Sequence, residues 1–358
     1  MNIVCKIEDS NKIPVCLRAM QNSMAKSFSL IGRAKSRKAF VTLCENAYNE
    51  GYASLPINQS RAYALKTYNY PFGNNHFLEF GMTYMYSEKE TKELRCASAK
   101  IAESLLRKLP KNHRSKDCIN AVWQYMKNNF TYKLTGSYKD HSAYSLLKTR
   151  SGVCQAFAAL AALILTFMGV PCLYVRGELL SGGVWVSHGW NCARTDDGKW
   201  MHFDITVSLD TIMLSTTSFS KKAFENCHRY EKNMYTDAAL DTAYMNNLVS
   251  AHSEITLDSN DTRFFMYGME FNMQNGEPLL MNMRGKYGVD VSELYFVLGG
   301  ATVYDGESDT LMLCMYNRFD YIRGASKYML GDGYYDVRML SEIGVSMSAE
   351  GSKLKIKL

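Results

Sequence analysis

Three side chains in this sequence could together perform nucleophilic catalysis: Cys154, His188 and Asp204. A cysteine attacks a carbonyl only as the thiolate, and a neighbouring histidine can take up the proton that the thiol loses. A carboxylate can hold that histidine in one tautomer and one orientation. The sequence therefore predicts a site of acyl transfer with Cys154 as nucleophile, His188 as base and Asp204 as the group that orients the imidazole.

The nucleophile needs a position that favours the thiolate, and the first turn of a helix is such a position. From Cys154 to Met168 the sequence CQAFAALAALILTFM is apolar on all sides, which predicts a buried helix that ends before Gly169. The free N–H groups of its first turn could bind a developing oxyanion, and Gly152 would let the backbone approach a substrate closely. The competing interpretation is that Cys154 is one more buried structural cysteine.

The histidine and the carboxylate need neighbouring strands, and residues 172–180, 184–194 and 199–207 have the composition of successive strands. If residues 196–198 form a three-residue loop with Gly198 in the left-handed conformation, Trp190 comes opposite Asp204. His188 then lies diagonally from Asp204 on the same face. A two-residue loop would move the two side chains to opposite faces, so the site requires the bulged hairpin.

Further helices and strands are predicted from hydrophobic periodicity and from capping and turn residues. Helices are predicted at 87–109, 115–130 and 142–148, and these lead the chain to Cys154. The C-terminal part carries strand-like runs at 263–272, 279–283, 294–298, 311–316 and 353–358, with a hairpin turn at Asn275-Gly276 between the first two. We expect an α+β protein in which a buried helix packs on an antiparallel sheet.

The length and composition of the chain limit its possible domain organisation and partners. A chain of 358 residues with 47% hydrophobic residues can bury a large core, and it predicts three units: a mixed N-terminal region at 1–89, a catalytic domain at 90–230 and a β-rich C-terminal domain at 231–358. The net charge of +6 is spread over 41 basic and 35 acidic residues, which argues against nucleic acid as the partner. The oligomeric state cannot be read from the sequence.

The ten cysteines stand singly, without the spacing of a zinc site or a disulfide framework. We therefore expect a reducing compartment, no metal and no cofactor. The N-terminus lacks the apolar region of a signal peptide, and the apolar run at 156–170 is too short to span a bilayer. These features predict a cytoplasmic protein without a membrane span, or a secreted one if an export signal has been removed.

Two segments carry a family resemblance. GVCQAFAALAALILTFMGVPCLYVRGE, followed by SHGWNCARTDDGKWMHFDIT, resembles the bacterial transglutaminase-like domain, and the likeness extends over residues 90 to 210. The shared features are Gly-x-Cys before an apolar helix, Gly-Val-Pro before a strand, His-x-Trp-Asn, and Trp-x-x-x-Asp-x-Thr. Gly189 stands where the family often has alanine, and Ile205 where it often has proline.

The resemblance implies a papain-like fold and a thioester on Cys154, formed from a peptide or glutamine-type amide of a peptide or protein substrate. A cysteine peptidase or amidase is the favoured function, because no acidic cluster with calcium-ligand spacing follows the three residues. A protein-glutamine transglutaminase and a catalytically inert interaction scaffold are the alternatives. A peptide N-glycanase fits less well, since those relatives carry paired CxxC motifs.

Several further residues are candidates for lesser roles. The family uses an aromatic or amide side chain as the second oxyanion donor, for which Tyr132, Tyr138 and Gln155 are available, and Trp190 is expected to wall the site. His202 shares the predicted face of Asp204 and is the competing base. Cys192 falls on that face too, where a structural role is favoured over a regulatory one.

Overall fold

The structure is a computed structural model that describes residues 2–7, 13–53, 61–72, 75–207, 213–214, 218–242, 254–266, 269–272, 277–316 and 318–357. The N-terminal segment alternates strands and helices: β1 (Asn2–Ile7), α1 (Ile13–Asn22), β2 (Ser27–Arg33), α2 (Arg37–Ala53), β3 (Arg61–Phe72) and β4 (Asn75–Thr83). β1 and β2 are parallel, which requires a crossover connection, and α1 lies in that connection.

The central segment begins with the helices that the sequence predicts. It contains α3 (Glu88–Leu106), α4 (Ser115–Asn129), β5 (Thr131–Tyr132), α5 (Ala143–Thr149), β6 (Ser151–Gly152), α6 (Cys154–Phe167), β7 (Cys172–Ser181), β8 (Val184–Arg194), β9 (Trp200–Asp204), β10 (Met213–Leu214), α7 (Ser218–Cys227), β11 (His228–Arg229) and α8 (237–242).

Capping residues set the start of two of these helices. The Ser87 side chain accepts from Glu90 N–H while the Glu90 carboxylate accepts from Ser87 N–H, so α3 begins with a capping box. Ser142 caps α5 by accepting from Ser145 N–H. The predicted strand at 199–207 is shorter than expected, because β9 ends at Asp204.

The C-terminal segment is rich in strands: β12 (Glu254–Asp258), β13 (Arg263–Met266), β14 (Met269–Asn272), β15 (Leu280–Met283), β16 (Lys286–Asp290), α9 (Val291–Val297), β17 (Ala301–Asp305), β18 (Thr310–Met315), β19 (Arg318–Arg323), β20 (Met329–Gly331), β21 (Tyr334–Asp336), β22 (Ser346–Glu350) and β23 (Lys353–Lys357). In β23 the leucine and isoleucine are buried and the lysines exposed, as the alternation predicts.

Three predictions for this segment need correction or fall outside the described residues. The expected strand at 294–298 is wrong, because Asp290 caps a short buried helix there by accepting from Glu293 N–H. The predicted strand at 263–272 is a hairpin of β13 and β14, and β15 pairs with β16 instead of with β14. The turn expected at Asn275-Gly276 lies outside the described residues.

The described strands form five sheets, and the two largest position the site. A nine-stranded sheet, in the order β22-β23-β12-β13-β14-β1-β2-β4-β3, joins N-terminal and C-terminal strands. A five-stranded antiparallel sheet, in the order β10-β9-β8-β7-β11, belongs to the central segment. The fold is thus α+β, with a helix-bearing N-terminal region and a β-rich C-terminal region around the core that holds α6.

Both faces of the five-stranded sheet are covered. On one face, α6 packs against Ala193, Met201 and Phe203 within a core that is nearly inaccessible to solvent. On the other face, a smaller cluster, here termed the distal cluster, consists of Leu173, Val175, Trp190, Cys192, Phe224, Tyr235 and Leu240. Strand alternation explains the division, since odd and even residues of β8 point to opposite faces.

Candidate active site

The hairpin between β8 and β9 has the register that the sequence requires. Thr195 N–H donates to Lys199 O at 2.9 Å, and Gly198 has φ +78°, so the loop is the bulged three-residue type. Cys192 pairs with His202, and the same register continues to place Trp190 opposite Asp204. His188 Nε2 lies 2.6 Å from Asp204 Oδ2, and both side chains are buried.

Cys154 is the first residue of α6 and is 9% exposed. The residues just before it are held on two sides, because Lys133 N–H donates to Gly152 O and Val153 N–H donates to Asp140 O, both at 2.9 Å. A Cβ atom on Gly152 would lie 3.0 Å from that same Asp140 O. A side chain at this position would thus be crowded where two backbone segments meet in front of the helix.

The Cys154 thiol contacts the histidine. Burial raises the pKa of Cys154, but hydrogen bonding to His188, the charge of His188, the Gly189 N–H and the Tyr132 hydroxyl outweigh burial and lower it below its ordinary value. For His188, burial lowers the pKa, whereas hydrogen bonds and charges from Asp204 and Cys154 raise it to about 9. The proton is thus more stable on the imidazole than on the sulfur.

The Asp204 carboxylate receives four hydrogen bonds. Thr206 donates its N–H and its hydroxyl to Oδ1, each at 2.8 Å. Oδ2 faces His188 Nε2 at 2.6 Å and His228 Nε2 at 3.0 Å. Burial alone would raise the pKa of this carboxyl, but the two histidines and Thr206 hold it below its usual range. Asp204 is therefore an ionised group at neutral pH, although it is buried.

His228 is a member of this cluster that the sequence did not point to. It opens β11, which pairs with β7 through only two residues, His228 with Leu179 and Arg229 with Glu178. So short a strand has no periodicity, and the surrounding sequence Asn226-Cys227-His228-Arg229-Tyr230 carries no motif. A search of the sequence for histidines near the three expected residues would have found His228 only as one of several candidates.

His188, Asp204 and His228 are also a group of possible metal ligands, with donor atoms within 4.8 Å of one another. Two ligands of a tetrahedral zinc ion are roughly 3.3 Å apart when each bond is about 2.0–2.1 Å long. The 2.6 Å between His188 Nε2 and Asp204 Oδ2 is shorter than that separation. His188 and Asp204 are therefore closer together than two ligands of a tetrahedral zinc ion, and they form a hydrogen bond as placed.

The four lesser candidates are placed differently. The Tyr132 hydroxyl is hydrogen-bonded to the Cys154 N–H and thiol, and burial together with the charge of Cys154 raises its pKa to about 12. Trp190 is buried, with its ring 6.1 Å from that of His188. Tyr138 is 68% exposed, and within the described residues neither Tyr138 nor Gln155 makes a hydrogen bond to the Cys154 or His188 side chain.

The competing base and the second cysteine occupy structural positions. Trp190 Nε1 donates to His202 Nδ1 at 3.0 Å, and the His202 ring packs on Tyr230 with centroids 4.7 Å apart. Asp204 Oδ2 contacts His188 and His228, so His202 is not the histidine that this carboxylate orients. Cys192 is fully buried in the distal cluster, and burial raises its pKa well above the ordinary value.

The departure from the family pattern at Gly189 has a packing reason. A Cβ atom at this position would overlap the hydroxyl and ring of Tyr174, a residue of β7. Tyr174 thus fills the space into which an alanine methyl would project. The absence of a side chain at Gly189 thus makes room for the Tyr174 ring.

Comparison with known proteins was made for the sequence and for the fold. Residues 100–205 match the family model of the transglutaminase-like superfamily. A search of curated proteins gave no match. Similar solved structures include a TGase, with 17% identity, 50% of this chain and 51% of that chain covered, and a TM-score of 0.27.

Two further similar structures are described as proteases. A proposed cysteine protease from Cytophaga hutchinsonii shows 18% identity, covers 41% of this chain and 64% of its own, and has a TM-score of 0.25. A proposed protease from Parabacteroides distasonis shows 11% identity, covers 49% of this chain and 39% of its own, and has a TM-score of 0.24. The protein spans less than two thirds of each of these three structures.

The match of the family model covers α4 to β9, together with the C-terminal part of α3 from residue 100, and it includes Cys154, His188 and Asp204. The chain therefore contains a domain of the transglutaminase-like superfamily at residues 100–205.

Proposed function

We propose that the protein is a cysteine-dependent hydrolase of peptide or glutamine-type amides, with Cys154 as nucleophile, His188 as proton carrier and Asp204 as the orienting carboxylate. The observation that carries this proposal is the contact between a thiol at the start of α6 and an imidazole that a buried carboxylate holds on its other side. Such a thiol ionises at a lower pH than an ordinary cysteine, which is the property a nucleophilic cysteine needs.

The order of proton transfers follows from which ring nitrogen of His188 is hydrogen-bonded to Asp204. Nε2 of His188 is bound by Asp204, so Nδ1 is the nitrogen that exchanges a proton with Cys154. The thiolate adds to the amide carbonyl, and the imidazolium then gives its proton to the leaving amine as the carbon–nitrogen bond breaks. The product is a thioester on Cys154. His188, now neutral, takes a proton from water, which attacks the thioester and releases the acid and the thiolate.

Two kinds of donor are available for the oxyanion of the tetrahedral intermediate. The N–H groups in the first turn of α6 have no partner within the helix. The Tyr132 hydroxyl already lies at the Cys154 N–H and thiol, because β5 runs parallel to β6 just before the nucleophile. We assign Tyr132 as the second oxyanion donor, in preference to Tyr138 and Gln155.

Exposed apolar side chains next to the site favour a peptide or protein substrate. Tyr132 and Leu134 are 41% and 69% exposed, and Val184 and Val186, which precede His188 on β8, are 61% and 41% exposed. Single exposed apolar residues are common, but several in the two segments that bear site residues are suited to an apolar side chain of a substrate.

The test is a mass-spectrometric assay of peptide and glutamine substrates with and without a labelled primary amine. We expect new termini or released ammonia, ¹⁸O from water in the product, and a loss of about a thousandfold or more in Cys154→Ala. The matched control is Cys96→Ala, which removes another partly exposed thiol and should retain activity. Incorporation of the amine would instead identify a transglutaminase. Full turnover in Cys154→Ala would reject Cys154 as the nucleophile, and no turnover in either protein would favour the inert scaffold.

A further inference from the structure

The segment that carries Tyr132 has few attachments of its own. β5 consists of two exposed residues, and among the described strands it pairs only with the equally short β6. Lys133 N–H donates to Gly152 O at 2.9 Å, and the Tyr132 ring lies beside that of Phe157, with centroids 6.0 Å apart. A hydroxyl that binds a reacting atom must be held to within a fraction of an ångström. This segment therefore needs support from outside the strand pair.

The carboxylate of Asp140 closes the loop that follows Tyr132. Thr135 donates its N–H to Oδ2 at 2.6 Å, and its hydroxyl lies 2.9 Å from both carboxylate oxygens. Thr135, together with the next two N–H groups of the loop, holds the pKa of the Asp140 carboxyl below its usual range, although burial would raise it. Asp140 is 9% exposed. Hydrogen bonds to an ionised acceptor are stronger than those between neutral groups, so the loop is firmly closed.

The main chain of Asp140 is attached to the segment that carries the nucleophile. Val153 N–H donates to Asp140 O at 2.9 Å, one residue before Cys154. Asp140 N–H donates to Ser137 O at 3.0 Å, which fixes the direction of that carbonyl. A single residue thus joins the two segments that meet at the thiol. Its carboxylate holds the loop that leads from Tyr132, and its carbonyl holds the turn into α6.

We propose that Asp140 is a positioning residue that holds the Tyr132 hydroxyl in place beside Cys154 for binding of the oxyanion. Its carboxylate binds the loop at 135–137 and acts on the reaction through that loop. This inference rests on the proposed function and on Tyr132 as the second oxyanion donor. It predicts that the contribution of Asp140 to turnover passes through Tyr132 and is lost when the tyrosine hydroxyl is absent.

The experiment is a double-mutant cycle on the full chain, with kcat/KM for peptide hydrolysis as the readout. Asp140→Asn keeps the shape of the side chain but replaces one acceptor oxygen with an amino group that cannot accept. We expect a loss of about a hundredfold in Tyr132→Phe and about tenfold in Asp140→Asn. Added to Tyr132→Phe, Asp140→Asn should cost less than about twofold more, because the hydroxyl that it positions is already gone.

Asp196→Asn is the matched control. The Asp196 carboxylate also accepts from a backbone N–H and a hydroxyl, those of Ser115, at 3.1 Å and 2.9 Å. It lies in the loop after β8, eight residues beyond His188 and therefore roughly 25 Å along the strand direction. This variant should retain the kcat/KM of the wild type.

The outcomes separate this inference from the proposed function. Full turnover in Cys154→Ala would reject the proposed function itself. If Cys154 is essential but Asp140→Asn costs the same factor with and without the Tyr132 hydroxyl, Asp140 supports the fold alone and the inference is wrong. Unchanged turnover in Asp140→Asn or in Tyr132→Phe would also overturn it.

A second variant covers the case in which Asp140→Asn does not fold, as judged by circular dichroism. Thr135→Val removes the hydroxyl that contacts both carboxylate oxygens and keeps the N–H. We expect a loss of about threefold in kcat/KM that disappears in Tyr132→Phe. A loss that persists without the Tyr132 hydroxyl, or no loss at all, would overturn the role of Asp140.

Discussion

In the proposed mechanism, a single proton distinguishes the working form of this site from an inert one. The pKa of His188 is raised to about 9 and that of Cys154 is lowered below its ordinary value, so the two shifts favour a thiolate beside an imidazolium over a neutral pair. The raised value has a cost, since an imidazolium that binds its proton tightly gives it up less readily to the leaving group. Asp204 therefore sets both the amount of thiolate and the strength of the acid.

The pH dependence of hydrolysis follows from these two shifts. We expect kcat/KM to rise as Cys154 loses its proton at a pH below that of an ordinary thiol, and to fall near pH 9 as His188 releases its own. A steady-state pH profile with a peptide substrate measures both limbs. A plateau that continues past pH 10 would contradict the assignment of His188.

Replacement of Asp204 tests the orienting role. Asp204→Asn removes the charge that raises the pKa of His188, so the alkaline limb should move to lower pH and kcat should fall by about a hundredfold or more. Thr206→Val is a milder companion change, because it removes one of the two donors to Oδ1 and leaves the charge. A variant Asp204→Asn with an unmoved alkaline limb would show that another group titrates there.

Gly189 offers a test that concerns packing alone. Gly189→Ala should lower the free energy of unfolding by about 1–3 kcal/mol, because the new methyl overlaps Tyr174. In combination with Tyr174→Ala the cost of the methyl should be smaller than in the wild type. Urea denaturation of the two single variants and the double variant measures this coupling, and strictly additive changes would refute the overlap.

At the scale of elements, the sequence predicted best where a local signal fixes a boundary. Ser87 and Ser142 begin α3 and α5, and Gly198 fixes the register on which the contact of His188 with Asp204 depends. Residues 294–298 were misread as a strand because a short run of buried apolar residues has no periodicity that separates helix from strand. The position of His228 depends on a pairing between β11 and β7 that no local pattern encodes.

Helix ends are joined by one buried cation. Arg95 of α3 donates to Asn22 O, at the end of α1, at 3.0 Å and to Phe296 O, near the end of α9, at 2.7 Å. Carbonyls at helix C-termini carry partial negative charge and lack partners within the helix. The guanidinium also lies over the Phe296 ring, 4.7 Å from its centroid.

Arg95→Lys should therefore be costly although it keeps the charge. The lysine ammonium cannot reproduce the two hydrogen bonds that the planar guanidinium donates to separate carbonyls. We therefore expect a loss of about 2–4 kcal/mol in the free energy of unfolding. Arg107 is an exposed arginine just after α3 that contacts Glu103 and Tyr321, and Arg107→Lys should change stability far less than Arg95→Lys. Chemical denaturation of both variants provides the measurement. Equal denaturation midpoints for the wild type and Arg95→Lys would show that the hydrogen bonds of the buried guanidinium do not stabilise the fold.

At the scale of the whole molecule, the central segment is tied to the C-terminal region. Ala301, Met312 and Cys314 belong to the same buried core as α6, Cys96 Sγ donates to Thr302 O at 3.2 Å, and Lys92 pairs with Glu293. The boundaries at residues 89 and 230 stay predictions. These shared contacts nonetheless favour unfolding as one unit.

We accordingly expect a single thermal transition. Differential scanning calorimetry should give one peak whose calorimetric enthalpy equals its van't Hoff enthalpy. Two separated peaks, or a calorimetric enthalpy well above the van't Hoff value, would show that the central segment unfolds independently of the rest.

The pairing of β1 with β14 brings Asn2 beside Asn272, two residues separated by 270 positions in the chain. During synthesis at about 5–20 residues per second, β14 leaves the ribosome roughly 15–50 s after β1. Throughout that interval β1 can pair with β2 on one side, while its other edge waits for a partner that has not yet been translated. An unpaired strand edge is a template for association with other chains. We therefore expect the nascent protein to be most exposed to aggregation before β14 is made, and to depend on chaperones at that stage.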